Sequence, residues 1–135
     1  MTRSILVVDD DPAVLRTLER GLERRGYDVM CATTPDAAYS MLDDPRVDVI
    51  LLDLWMPEIS GDALALAITR RWPRMEGRVV LMSGDPTMLE RLQDQGSPFP
   101  VLAKPFTFSQ VYRLIEAVAG EHRAKPRTGT TDGFS

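Results

Sequence analysis

Four short apolar runs constrain this chain more than any other feature: Ile5-Leu6-Val7-Val8, Val49-Ile50-Leu51-Leu52, Val79-Val80-Leu81-Met82 and Val101-Leu102-Ala103. Each is continuous rather than alternating, which is the pattern of a strand covered on both faces. A weaker strand is expected over Tyr27 to Ala32, and the third strand over Val47 to Leu52. The segments between them have helical spacing. Asp11-Pro12 reads as an N-cap followed by proline at the first helical position, Val14, Leu18 and Leu22 share one face, and Gly26 supplies the stop. Thr34-Pro35 opens a second helix carrying Ala37, Ala38, Met41 and Leu42. A third helix runs from Gly61 towards Trp72 and ends at Pro73, and a fourth spans Thr87 to Gln95, closed by Gly96. Thr107 and Gln110 form a capping box ahead of Val111, Leu114, Ile115 and Val118. Five strand-helix units with short links imply a parallel sheet with helices on both faces.

With 135 residues, the chain suits one domain. Residues 1–120 are expected to form it, and 121–135, rich in Arg, Lys, Pro, Thr, Gly and Asp, to be a disordered polar tail. No internal repeat interrupts the pattern. Apolar runs fall far short of the ~20 residues that span a bilayer, and nothing resembles a signal peptide, so a cytoplasmic protein without membrane contact is expected. The net charge of −4 argues against direct nucleic-acid binding. Arg24-Arg25 and Arg70-Arg71 fall where cations complement helix C-termini. The single cysteine, Cys31, reads as a small side chain in an apolar strand. The single histidine, His122, lies near the tail, which leaves no histidine-based metal site or catalytic triad.

In an open α/β sheet, ligands bind beyond the carboxyl ends of the strands. The first strand delivers Asp9-Asp10-Asp11 there, the third Asp53, the fourth Ser83-Gly84 and the fifth Lys104-Pro105. Clustered carboxylates repel one another unless a cation sits among them. All-oxygen donors suit Mg2+ or a similar hard ion. A lysine can neutralise a phosphoryl oxygen, a serine hydroxyl can donate to another, and a carboxylate can attack phosphorus to form an acyl phosphate. Taken singly, Asp11 is a helix cap, Asp9 or Asp10 a solvated strand end, and Ser83 or Lys104 unremarkable. Their joint placement at four strand ends points to phosphoryl transfer onto an aspartate.

The motifs ILVVDDDP (5–12), VILLDLWMPEISG (49–61), VVLMSGD (79–85) and LAKPF (102–106) resemble, in order, those of the receiver domain of bacterial two-component response regulators, the CheY-like superfamily. The likeness covers about residues 3–119. It implies a flavodoxin-like, doubly wound fold: a five-stranded parallel sheet, order 2-1-3-4-5, flanked by five helices, with a cis bond at Lys104-Pro105. It implies that Asp53 is the phosphoacceptor. Asp10 would bind Mg2+ (or Mn2+) directly, Asp9 through water, and the Trp55 main-chain carbonyl would be a further ligand. Ser83 and Lys104 would hold the phosphoryl group. The implied donor is a sensor histidine kinase or histidine phosphotransfer domain, docking near Pro12 to Leu15 and Pro105-Phe106, with either Val14 or Leu15 facing solvent. The downstream partner is unspecified. The implied role is that of a signalling domain rather than an enzyme.

Two positions are particular to this chain. Trp55 is bulky beside the acceptor, where it could shield an acyl phosphate from water. Val101 stands where the family often carries a tyrosine or phenylalanine switch. Valine is too small and too stiff to swing across the gap, so the change on phosphorylation is expected around Ser83 to Met88. Two other readings compete: a receiver-shaped binding module that is never phosphorylated, and an aspartate-nucleophile phosphohydrolase of the haloacid dehalogenase type. The second needs acidic metal ligands after Lys104, where the only acids in or near the last helix are Glu116 and Glu121.

Overall fold

The computed structural model describes residues 2–124, with side chains over 2–120. The elements are β1 (Ser4–Val8), α1 (Pro12–Arg24), β2 (Asp28–Ala32), α2 (Pro35–Leu42), β3 (Val47–Asp53), α3 (Gly61–Arg71), β4 (Val79–Ser83), α4 (Pro86–Asp94), β5 (Val101–Ala103) and α5 (Phe108–Ala124). The five strands form one sheet in the order β2-β1-β3-β4-β5, with every pairing parallel. The fold is the flavodoxin-like one expected from the motifs.

The continuous apolar runs become two cores because successive side chains point to opposite faces of a strand. Leu6, Val8, Ile50, Leu52, Val79 and Leu81 pack against α2, α3 and α4 through Ala38, Leu42, Leu64, Ile68 and Leu92. Ile5, Val7, Val49, Leu51, Val80 and Met82 face α1 and α5 through Leu15, Leu18, Leu22, Val111 and Ile115. Leu15 is buried and Val14 only half-buried, so Val14 is the more accessible of the two.

The helix starts are set by local chemistry. The Asp11 carboxylate accepts the Ala13 amide at 2.9 Å, and the Thr34 hydroxyl accepts the Ala37 amide at 3.1 Å; proline follows both caps. Such a cap contributes about 1 kcal/mol. The Thr107–Gln110 box is reciprocal, with the Thr107 amide on Gln110 at 2.8 Å and the Gln110 amide on Thr107 at 3.2 Å. Gly26 (φ 99°) and Gly96 (φ 67°) take the left-handed conformation just past α1 and α4.

Several boundaries differ from expectation. Pro73 does end α3, but it opens a short 3-10 turn, Pro73–Met75, that buries Met75. In this turn Arg74 donates to the carbonyls of Leu42, Asp44 and Val47, tying the α2–β3 link to the α3–β4 link. Helix α4 begins one residue earlier than expected, at Pro86, because Asp85-Pro86 repeats the cap chemistry of Asp11-Pro12. Strand β2 begins at Asp28, and the preceding Tyr27 is buried against the core. The backbone of α5 runs to Ala124, into the stretch expected to be tail; residues 125–135 lie outside those described. No helix among the described residues is long and apolar enough to cross a membrane.

Candidate functional site

Register places the site. Val8 pairs with Leu52, so Asp9 follows the end of β1 level with Asp53 at the end of β3. Asp53 pairs with Met82, which puts Ser83 one step beyond it on β4, and Ser83 pairs with Ala103, the residue before Lys104. Backbone bonds hold these ends together: the Leu54 amide donates to the Met82 carbonyl at 2.9 Å, and the Lys104 amide to the Ser83 carbonyl at 2.8 Å. The Lys104-Pro105 bond is cis, as the resemblance implied.

Asp9 (1% exposed) and Asp53 (6% exposed) are buried, whereas Asp10 is exposed. One carboxylate oxygen from each of the three lies within 4.8 Å of the others. The Lys104 ammonium sits 3.5 Å from Asp9 Oδ2 and 3.6 Å from Asp53 Oδ1. Burial pushes the Asp9 carboxyl above its ordinary value, against the pull of the Asp11 amide and Lys104. Burial also pushes Asp53 up, and the neighbouring Asp9 charge adds to it; Lys104 and the Trp55 amide oppose both. One lysine therefore does not compensate the cluster. Asp9 Oδ2 is buried and has, among the described residues, no hydrogen-bond donor nearer than the Lys104 ammonium at 3.5 Å. A buried, weakly bonded oxygen and uncompensated negative charge at one point are what a hard divalent cation relieves, so the residues present fit Mg2+.

Two further groups complete the site. Ser83 is buried, and its hydroxyl oxygen accepts the Asp85 amide at 3.0 Å. The Asp85 carboxylate in turn accepts the amides of Thr87, at 2.9 Å, and Met88, at 3.4 Å, in the first turn of α4. That coupling was invisible in the sequence because its first donor is a backbone group; the Asp-Pro pair was the only available signal. Gly61 is the second. Its amide donates to the Leu54 carbonyl at 2.9 Å, and a Cβ there would collide with the Asp53 carbonyl, so only glycine lets α3 start against the Asp53 backbone. The Trp55 side chain, two residues beyond Asp53, is 58% exposed. Asp11, by contrast, is a helix cap and not part of the cluster.

The family model for the response regulator receiver domain matches residues 5–116. The chain belongs to that family. As a receiver it is a signalling domain by family rather than a conventional enzyme. Its fold is shared with a receiver domain protein from Methanospirillum hungatei at 22% identity, with a TM-score of 0.78 over 91% of this chain and 98% of that one. The chemotaxis protein CheY4 of Vibrio cholerae is 22% identical, with a TM-score of 0.75 over 87% of this chain and 99% of that one. The Thermotoga maritima response regulator TrrA, solved in complex with Mg2+ and BeF, is 24% identical, with a TM-score of 0.74 over 87% of this receiver and 99% of that chain.

Proposed function

We propose that this receiver accepts a phosphoryl group on Asp53 from a phosphohistidine donor, in a Mg2+-dependent reaction, and signals by changing shape. The observation that carries the reading is the Lys104 ammonium poised between Asp9 and Asp53 at 3.5 and 3.6 Å, at the edge of a three-carboxylate cluster that one lysine does not neutralise. A carboxylate oxygen of Asp53 attacks phosphorus, a new O–P bond forms, and the P–N bond to the donor imidazole breaks, leaving the imidazole to take up a proton. Lys104, already beside Asp53, meets the negative charge arriving on the phosphoryl oxygens. The Ser83 hydroxyl, which accepts the Asp85 amide at rest, turns from it to donate a hydrogen bond to a phosphoryl oxygen. When bound by Asp9, Asp10, Asp53 and the Trp55 carbonyl, Mg2+ supplies charge neutralisation at the transferring group.

The donor is a sensor histidine kinase or a histidine phosphotransfer domain in the cytoplasm, docking over Pro12 to Leu15 and Pro105-Phe106; the downstream partner is a protein. On this face Pro12, Ala13 and Pro105 are exposed and Val14 and Phe106 half-buried, so apolar contacts are accessible to a partner. The phosphohydrolase reading loses a ligand that it requires: Glu116 accepts hydrogen bonds from Arg3 and Tyr27 instead of reaching the acidic cluster.

The test is phosphorylation with acetyl phosphate in Mg2+, read by mass. The wild-type chain gains one phosphoryl group and Asp53→Asn none. Full labelling of the variant at another site would refute the assignment, and an unlabelled wild-type chain would favour a receiver-shaped binding module.

A further inference from the structure

Helix α3 is apolar on both sides. Leu64, Ala65 and Ile68 are buried in the core, yet Ala63 to Ile68 runs six residues without a polar side chain. A surface helix ordinarily turns polar residues outward. Here the outward position is Leu66, 45% exposed. Trp55 and Leu66 are the exposed large hydrophobic residues among those described, and Trp55 has its place beside the acceptor. The one hydroxyl near Leu66 on this face is turned back on the helix: Thr69 donates to the Ala65 and Leu66 carbonyls, both at 3.1 Å.

A single exposed leucine is ordinary; the charges around this one are not. Asp62 and Arg70 flank it at four residues on either side, so Leu66 stands where each would find a helix partner. The alternatives at three residues, Ala65 for Asp62 and Ala67 for Arg70, are apolar too. Asp62 and Arg70 lie about 12 Å apart along the axis, too far to reach each other. Neither is in an ion pair among the described residues. The adjacent Arg71, by contrast, is engaged, its guanidinium 4.7 Å from the Trp72 ring centre and 6.0 Å from that of Tyr39. An acid in the first turn and a base in the last also complement the helix's own dipole. That accounts for the charges at the two ends but not for the exposed leucine midway between them.

We propose that the outer face of α3 is a self-association surface, on which a second copy of this chain packs its own α3 antiparallel about a two-fold axis at Leu66. Such an axis sets Leu66 against Leu66 and Ala63 against Thr69. It also sets Asp62 of each copy against Arg70 of the other, so both ends close on opposite charges. The helix dipoles then run in opposite directions, which is favourable as well. A parallel pairing would instead put Asp62 on Asp62 and Arg70 on Arg70. An unrelated protein would have to present an apolar strip with an acid and a base about 12 Å apart, in reverse order; α3 itself carries that strip. Its eleven residues make a face about 16 Å long, short of the roughly 1,200 Å² of a stable complex. The dimer is therefore weak, with a Kd of about 10 µM to 1 mM. The proposal is independent of phosphorylation at Asp53.

Sedimentation equilibrium of the full chain, over roughly 10 µM to 1 mM, reads the association. A monomer–dimer equilibrium is expected. Leu66→Glu should weaken it roughly tenfold or more without lowering the Tm, because the leucine is already in water in the monomer. Asp62→Lys alone and Arg70→Glu alone should each weaken it by a similar factor, since each sets like charges at both ends. Mixed in equal amounts, these two variants should associate about as tightly as wild type. The introduced lysine then meets the introduced glutamate, and the remaining Arg70 meets the remaining Asp62. Damage to folding would not be rescued by mixing, and circular dichroism checks that each variant folds alone. A chain that stays monomeric over this range, a dimer that keeps its affinity in Leu66→Glu, or two charge variants that stay apart when mixed overturns the proposal. None of these outcomes bears on Asp53, whose labelling by acetyl phosphate is read separately.

Discussion

Asp53→Asn should make the metal-free protein more stable while removing what the site is for. At a separation of 4.8 Å and an effective dielectric of 20, each carboxylate pair repels by about 3.5 kcal/mol before screening. Asp9 is buried and keeps most of that repulsion, whereas the exposed Asp10 is largely screened. Against this, the Lys104 ammonium at 3.6 Å attracts Asp53 by about 4 to 5 kcal/mol, discounted because the lysine side chain is partly exposed. Burial of the Asp53 charge is the largest cause of its raised carboxyl, and together with Asp9 it outweighs the lysine. The net gain on neutralising Asp53 should be about 1–2 kcal/mol, a rise in Tm of about 3–8 °C. Mg2+ should reverse the order, since a ligand at a hundred times its Kd stabilises by about 2.7 kcal/mol and the variant has lost one ligand. The assay is thermal unfolding by circular dichroism in EDTA and then in Mg2+. An Asp53→Asn Tm at or below wild type in EDTA, with the same gain on adding Mg2+, would refute the reasoning.

The pH dependence follows from the same two carboxyls. Between the ordinary 3.8 and their raised folded values, the folded chain binds more protons than the unfolded one, so their destabilising effect is absent below that window and complete above it. Metal-free stability should therefore rise as pH is lowered from 7 towards the ordinary carboxylate value of 3.8 in denaturant titrations, and Asp53→Asn should flatten the slope; a wild-type slope of opposite sign counts against it. Trp55 fluorescence in a Trp72→Phe background should respond to Mg2+ or to a beryllofluoride phosphoryl mimic, and silence to both would remove the indole from the site. Gly61→Ala should lower stability by about 1–3 kcal/mol and slow labelling of Asp53, because the added methyl displaces the Asp53 carbonyl; unchanged labelling kinetics would show that the close approach does not matter. With beryllofluoride bound, amide exchange should change most over Ser83–Met88 and little at Val101, and the reverse pattern would restore the strand-five position as the switch.

The strands were legible because the centre of a parallel strand covered on both faces strongly favours apolar residues, so Ile5–Val8 and Val49–Leu52 could be little else. The acidic cluster was legible because its members sit immediately after such runs, where register alone brings Asp9 beside Asp53. Contacts made by backbone groups or across long separations were not. Nothing at position 3 announces that Arg3 and Tyr27 will share Glu116, with Arg3 lying 113 residues away from it. The turn at Pro73–Met75 was missed because proline serves equally to end one helix and to begin another. The reason for glycine at position 21 appears only when the Phe108 ring is seen to fill its place.

The Ser83–Asp85 hydrogen bond sets a ceiling on how sharply this domain can respond. If Ser83 turns to a phosphoryl oxygen, the bond from the Asp85 amide, worth about 1 kcal/mol net, gives way to a charge-assisted one worth about 1.5–3 kcal/mol. The difference, about 0.5–2 kcal/mol, multiplies the ratio of two α4 arrangements by about 2 to 30, whereas a swing from 1:99 to 99:1 takes about 5.5 kcal/mol. A serine relay of this kind behaves as a dimmer. A decisive transition then needs a partner that itself binds one α4 arrangement more tightly and supplies the remaining preference.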